Sequence, residues 1–166
     1  MRAHRFEFSS LFRQPAARLW GFHMRPDAFR LLTPRAMRMR VLDPGSGVAE
    51  DSVVRFEVGV WPLRQRWSAL HGAVHAGRSF TDVAIEGPFA YWVHQHTVTE
   101  VTRATSRLTD VVWFAPPSWL RHRPGVALVR LVLKGLFAWR HRQTRRHLDH
   151  RAGRSLTCNR AAVCSA

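Results

Sequence analysis

Hydrophobic and polar residues alternate along several short segments of the chain, which is the pattern of strands with one buried face. The first segment is residues 4–11, where Phe6 and Phe8 alternate with Arg5 and Glu7. Later segments with this alternation begin near residues 37, 54, 64, 80, 92 and 108. Turn residues separate three of these pairs: Pro62-Leu63, Ala76-Gly77 and Gly87-Pro88-Phe89. We therefore expect about seven strands, most of them joined as antiparallel hairpins.

Helical spacing appears after the first strand and again near the end of the chain. Residues 15–23 and 26–32 predict two short helices, each beginning near a proline that the first helical turn tolerates. A long helix is predicted from Pro124 to about Leu148. Its apolar face is expected to contain Leu128, Leu131, Val132, Gly135, Leu136 and Trp139. Residues 149–166 lack periodicity, so we expect one domain at 1–148 and a disordered basic tail that contains Cys158 and Cys164.

Several motifs occur in an order and spacing that resemble one protein superfamily. They are Phe80-Thr81-Asp82-Val83, Gly87-Pro88-Phe89, Trp92-Val93-His94-Gln95-His96, residues 105–110 and Phe137-Ala138-Trp139-Arg140-His141-Arg142. Over residues 4–148 the chain resembles the SRPBCC superfamily of START-like lipid carriers and polyketide cyclase/dehydrases, and especially its small bacterial ligand-binding proteins. The resemblance implies an α+β helix-grip fold, in which a curved antiparallel sheet of about seven strands wraps a long C-terminal helix. It also implies a cavity between the sheet and that helix.

The predicted inner face of the sheet mixes polar and apolar side chains. Hairpin pairing places Asp82 near His94 and Asp110 near His96. The other inward residues expected around a ligand are Phe56, Trp67, His71, Trp92, Val112 and Phe114. An apolar lining with a few convergent polar groups is typical of a small-molecule pocket. We therefore expect a carrier or sensor of a hydrophobic, partly oxygenated compound, such as a lipid, an isoprenoid or a polyketide-like molecule.

Other interpretations of the Asp and His residues remain open. A cyclase or dehydratase would use His94 or His96 as a base, with Asp110 or Asp82 orienting it. Alternatively, the pairs form a buried polar network that fixes the strand register. Two histidines near a carboxylate are also suitable metal ligands, but no fourth ligand is evident, and we predict neither a metal nor a cofactor. The chain lacks nucleophile-elbow and phosphate-loop motifs, which disfavours nucleophilic catalysis and nucleotide binding.

Composition changes this picture little. The chain has 166 residues, 46% of them hydrophobic, which suits one domain, and its net charge is +15. The basic residues of 140–151 predict either a solvated helix face or contact with an anionic membrane through Arg140–Arg151. Nucleic-acid binding is disfavoured because no aromatic stacking platform accompanies these residues. The longest apolar stretch is interrupted by Arg130 and Lys134, so we expect a cytoplasmic protein without a membrane span; no oligomeric state is specified.

Overall fold

The computed structural model describes residues 2–163, with side chains described for residues 2–149. The strands are β1 (His4–Phe12), β2 (Arg40–Asp43), β3 (Val53–Val58), β4 (Gln65–His75), β5 (Ser79–Glu86), β6 (Tyr91–Thr102) and β7 (Thr105–Ala115). The α-helices are α1 (Ala16–His23), α2 (Ala28–Leu31) and α3 (Arg123–Val163). Short 3-10 helices occupy Arg35–Met37 and Ser118–Leu120.

The seven strands form one antiparallel sheet in the order β1-β7-β6-β5-β4-β3-β2. The sheet is curved, α3 packs across it, and α1 and α2 follow β1. This arrangement confirms the α+β helix-grip fold expected from the sequence. The predicted cross-strand pairs also form, because Asp82 lies opposite His94 and His96 lies opposite Asp110. In the described part of the chain, none of the helices combines the length and the hydrophobicity of a membrane span.

The hairpin between β3 and β4 differs from its predicted register. A two-residue turn at Pro62-Leu63 would have paired Trp61 with Arg64, whereas β3 ends at Val58 and β4 begins at Gln65. The chain leaves the strand at Gly59, whose φ of 98° favours glycine, and Trp61 is 86% exposed. Phe56 consequently pairs with Trp67 rather than with Ala69. The register changes by an even number of residues, so the inward face of both strands is the predicted one.

Helix α3 also differs from its predicted form in two respects. Its buried face consists of Val126, Val129, Leu133, Phe137, His141, Thr144 and Leu148, not of the residues expected from spacing. The predicted core residue Leu131 is 67% exposed. In addition, the backbone continues as helix to Val163, beyond the end predicted near Leu148. Within the predicted tail at 149–166, side chains are described only for residue 149. The domain boundary at 148 therefore stays a prediction.

Two hydrophobic clusters hold the layers together. One consists of Phe12, Leu19, Phe22, Leu32, Val98, Leu108 and Leu148, which join α1 to the sheet and to α3. The other consists of Val112, Phe114, Val126, Val129, Leu133 and Phe137, which join β7 to the first half of α3. Because both clusters lie near β6 and β7, the inner face of β3–β5 is left for a cavity.

We predict that Gly125→Ala lowers the free energy of unfolding by about 1–3 kcal/mol, because an added Cβ would overpack the start of α3. A Cβ on Gly125 would lie 2.5 Å from the backbone oxygen of Leu120. The matched control is Gly135→Ala in the same helix, where nothing lies within 4 Å of an added Cβ. That control should increase stability by about 0.5–1 kcal/mol through helix propensity. Equal effects of both changes in urea denaturation would contradict the close approach at Gly125.

Candidate functional site

A cavity of about 460 Å³ lies between the inner face of the sheet, α2 and α3. Most of its lining residues are apolar, and they come from the sheet, the short helices and α3. They include Phe29, Met37, Val54, Phe56, Trp92 and Leu133. The polar residues of the lining include Asp82, His94 and His96, which neighbour one another on β5 and β6. This volume suits one small organic molecule, and the combination of an apolar wall with one polar end is typical of ligand pockets.

The structure brings most of the predicted site residues to this cavity. Phe56, Trp67, His71, Asp82, Trp92, His94 and His96 all line it. Asp110 does not, because it lies behind the two histidines and is 2% exposed. Val112 and Phe114 were expected on the wall as well, but both are fully buried in the cluster beneath α3. The reason is that α3 covers the inner face of β7, so this strand supplies core rather than cavity surface.

Aromatic rings form one side of the cavity without filling it. The Trp67 ring stacks on Phe56 at 5.9 Å between centroids and meets the Trp92 ring edge-on at 5.3 Å. Phe89 packs against both indoles. The turn that precedes β6 approaches closely, since a Cβ on Gly87 would lie 3.4 Å from the Trp67 ring. These contacts hold the tryptophans in place as an aromatic, apolar wall.

One buried carboxylate, Asp110, contacts three imidazoles. His94 Nε2 donates to Asp110 Oδ1 at 2.9 Å, and His141 Nε2 donates to Asp110 Oδ2 at 2.5 Å. His96 Nδ1 lies 2.7 Å from Asp110 Oδ1, although this contact lacks the alignment of a hydrogen bond. All four side chains are buried. Asp110 therefore links two residues of the sheet to α3 and fixes the orientation of their rings.

The second nitrogen of each sheet histidine faces Asp82. His94 Nδ1 lies 3.3 Å from Asp82 Oδ2, and His96 Nε2 lies 4.0 Å from Asp82 Oδ1. The Asp82 side chain is 17% exposed, more than either histidine. The atoms that reach the polar end of the cavity are thus a carboxylate and two imidazole nitrogens, a set that can hydrogen-bond a guest or hold a metal ion.

The surroundings shift the pKa values of the two histidines in opposite directions. Burial disfavours a charged His94, but the carboxylates of Asp82 and Asp110 outweigh it and raise the pKa of His94 to about 9. Burial, reinforced by the charge of His94, lowers the pKa of His96 to about 3. Burial alone would raise the pKa values of Asp82 and Asp110, yet their histidine contacts lower both. At neutral pH, a charged His94 therefore lies between two ionised carboxylates, beside a neutral His96.

Sequence reasoning did not assign three residues near this site. His141 lies four positions after Phe137 on the buried face of α3, so it faces the sheet, but this spacing becomes informative only once the packing of α3 shows that Phe137 is buried. His23 lines the cavity, its Nδ1 donates to the Leu19 carbonyl at 2.9 Å, and burial lowers its pKa. Arg140 also lines the cavity, with its guanidinium 5.5 Å from the centre of the Phe137 ring.

The basic end of α3 is only partly within the described residues. Arg145 donates to the Leu11 carbonyl at 3.1 Å and lies over the Phe12 ring. Together with Arg140, it therefore packs against the protein surface. The side chains from residue 150 on lie outside the described part of the chain. Contact of Arg140–Arg151 with an anionic membrane accordingly stays a prediction.

Several solved structures share the fold of this chain. A nucleoside-diphosphate sugar epimerase from Corynebacterium glutamicum matches with a TM-score of 0.69 and 24% identity over 87% of this chain. The chain spans 29% of the length of that epimerase. Norcoclaurine synthase from Thalictrum flavum, in complex with dopamine and hydroxybenzaldehyde, matches with a TM-score of 0.66 and 12% identity over 90% of this chain and 88% of the synthase. The Zhui aromatase/cyclase from Streptomyces sp. R1128 matches with a TM-score of 0.63 and 14% identity over 93% and 96% of the two chains.

These likenesses show the helix-grip fold that the sequence resemblance implied. The chain belongs to the family described as Domain of unknown function (DUF8410), whose sequence model matches residues 24–148. No curated protein matches the chain. The matched residues begin after α1 and include most of the cavity lining, the Asp82–His94–His96 end and α3 as far as Leu148.

Proposed function

We propose that this chain binds a hydrophobic, partly oxygenated small molecule, such as a lipid, an isoprenoid or a polyketide-like compound. The observation that carries the proposal is the cavity of about 460 Å³ with an apolar wall and one polar end. Burying a guest against that wall contributes about 25 cal/mol for each Å² of apolar surface removed from water. The polar end restricts the guest, because desolvated carboxylate and imidazole groups require partners.

The two parts of the cavity suggest how such a guest is oriented. The apolar body of the guest can pack against the rings of Phe56, Trp67 and Trp92. At the polar end of the cavity, a hydroxyl or a carbonyl of the guest can form hydrogen bonds with His96 and Asp82. Because strands rather than loops hold these side chains, the site is formed before the guest enters. Solved proteins of this fold include one described in complex with two small aromatic molecules, which supports small-molecule binding in general terms.

A cavity-filling variant tests this proposal. Ala69 lies on β4 and lines the cavity, so Ala69→Phe should occupy the space of the guest while leaving the Asp and His residues unchanged in sequence. Native mass spectrometry and solvent extraction of protein purified from its own host should then detect a retained compound in the unchanged chain but not in the variant. The matched control is Leu70→Phe, which places a ring on the same strand at a position outside the cavity lining. This control should retain the compound as the unchanged chain does.

The opposite results would reject the proposal. An unchanged chain that carries no organic compound and takes up none from its host's lipid extract has no cavity guest. A compound that Ala69→Phe retains in full would lie elsewhere on the protein. Far-UV circular dichroism of both variants separates loss of binding from loss of fold.

The position of His96 favours one second candidate, an acid/base enzyme of the cyclase or dehydratase type. His96 Nε2 accepts no hydrogen bond among the described residues and belongs to the cavity lining, where it can reach a proton of a guest. Turnover of a polyketone substrate that disappears in His96→Ala would support catalysis. Turnover that is unaffected by His94→Ala and His96→Ala would exclude this mechanism.

A further inference from the structure

Asp82, His94 and His96 present three potential ligand atoms to one point at the polar end of the cavity. One ligand atom from each residue lies within 4.8 Å of the other two. Among these atoms, His94 Nδ1 is 3.3 Å from Asp82 Oδ2, and His96 Nε2 is 4.0 Å from Asp82 Oδ1. A tetrahedral Zn²⁺ with bonds of about 2.0–2.1 Å separates its ligand atoms by about 3.3 Å. The His94–Asp82 separation already has that value, and the other separations, which are at most 4.8 Å, would have to shorten to reach it.

We propose that Asp82, His94 and His96 form a binding site for a divalent transition-metal ion of the Zn²⁺ class. Two imidazoles and one carboxylate are the donor set that such ions prefer over Mg²⁺ or Ca²⁺. The ligands lie on adjacent strands, since Asp82 pairs with His94 across β5 and β6 and His96 is the next inward residue of β6. Strand residues at these positions point to the same face, so the sheet itself holds the three ligands together.

The surroundings of the two histidines match those of known metal ligands. A ligating imidazole usually donates its other N–H to a carboxylate, which fixes the ring and its tautomer. Here Asp110 Oδ1 lies 2.9 Å from His94 Nε2 and 2.7 Å from His96 Nδ1, and these are the nitrogens turned away from Asp82. His141 Nε2 in turn donates to Asp110 Oδ2 at 2.5 Å. Asp110 thus already accepts from His94, and it lies against the corresponding nitrogen of His96, where a small rotation of the ring would align a hydrogen bond.

Charge favours a cation at this point. Asp82 lines the apolar cavity and Asp110 is buried behind the histidines, so both carboxylates lie where unbalanced negative charge is costly. A divalent ion between Asp82 and the imidazoles would balance both carboxylates, and it would displace the proton from His94 Nδ1 to solvent. Three protein ligands leave at least one coordination position, directed into the cavity, for water or an oxygen of a guest. This site goes beyond the proposed function because it needs no organic molecule.

The test uses Co²⁺ alone, added to the full-length chain without an affinity tag after treatment with EDTA. Binding at this site should give the visible absorption of a four- or five-coordinate Co²⁺ ion, saturating at one ion per chain. Zn²⁺ should then abolish the absorption by displacing Co²⁺. His96→Ala and Asp82→Asn should each weaken Co²⁺ binding by at least about tenfold, because each removes a ligand. The matched control is His75→Ala, an exposed histidine of β4 that should leave the affinity unchanged.

Two results would overturn the proposal. One is a folded, EDTA-treated chain that gives no Co²⁺ absorption and retains no Zn²⁺ after dialysis. The other is a Co²⁺ affinity that is equal in His96→Ala, Asp82→Asn and His75→Ala, which would locate the bound ion elsewhere. Far-UV circular dichroism of each variant keeps loss of fold separate from loss of a ligand. Asp82→Asn is informative here because Asp82 is the most exposed of the three ligands and its amide keeps the shape of the side chain.

Discussion

Asp110→Ala should lower the free energy of unfolding by about 3–5 kcal/mol, because it removes the carboxylate from a buried group of charged and polar side chains. His94 and His141 would each lose a hydrogen bond to Asp110, and His96 would lose its closest polar contact. Water cannot replace these contacts readily, since Asp110 is 2% exposed. Urea denaturation followed by far-UV circular dichroism measures the effect.

Asp43→Ala is the control for this change. Asp43 forms an ion pair with Arg55 at 2.9 Å, but both side chains are about half exposed, so the loss should be far smaller than that of Asp110→Ala. Asp110→Asn should have an intermediate effect, because the amide retains one acceptor oxygen for the imidazoles. A loss below about 1 kcal/mol in Asp110→Ala would contradict the idea that the three histidines depend on this carboxylate.

Phe114→Ala should also cost about 3–5 kcal/mol, in this case through a cavity left in the core. The Phe114 side chain is fully buried in the cluster that joins β7 to α3, and its ring lies 6.1 Å from that of Phe89. Thermal unfolding monitored by calorimetry gives the measurement. Because Phe114 does not line the ligand cavity, the retained compound should be the same in the folded variant.

Trp119→Ala provides the comparison for Phe114→Ala. It deletes a larger ring from a side chain that is 73% exposed, and stability should change by no more than about 0.5 kcal/mol. Similar losses in the two variants would show that the core beneath α3 repacks around the missing ring.

Strict alternation explains why the sequence predicts the polar end of the cavity so closely. Short turns join the strands that carry Asp82, His94, His96 and Asp110, and near these residues the strands pair without a register shift, since the shift of the β6–β7 pair lies farther on, between Glu100 and Thr102. Because side chains alternate between the two faces, the number of positions from a known inward residue decides which face each residue occupies. The hairpin pairing then decides which residue lies opposite it on the neighbouring strand. The same argument fails for the β3–β4 pairing, because the loop at residues 59–64 is longer than a two-residue turn.

Helix α3 shows a different limit of sequence reasoning. Apolar residues occupy most of the circumference of its first half, so the spacing of Leu128, Leu131 and Val132 is as regular as that of the buried face. Only the packing against β7 selects Val129, Leu133 and Phe137. The same selection turns His141 toward Asp110, and for that reason the third imidazole could not be assigned before the helix was placed.

The apolar residues left outside the buried face of α3 affect how fast a guest exchanges. Leu128 and Val132 line the cavity, yet they are 54% and 59% exposed, so their side chains lie where the cavity meets solvent. A guest that leaves along α3 passes over these aliphatic groups and keeps apolar contact until it reaches water. Such a continuous path lowers the barrier to release relative to a closed interior, so residence times should be governed by this opening rather than by unfolding of the domain.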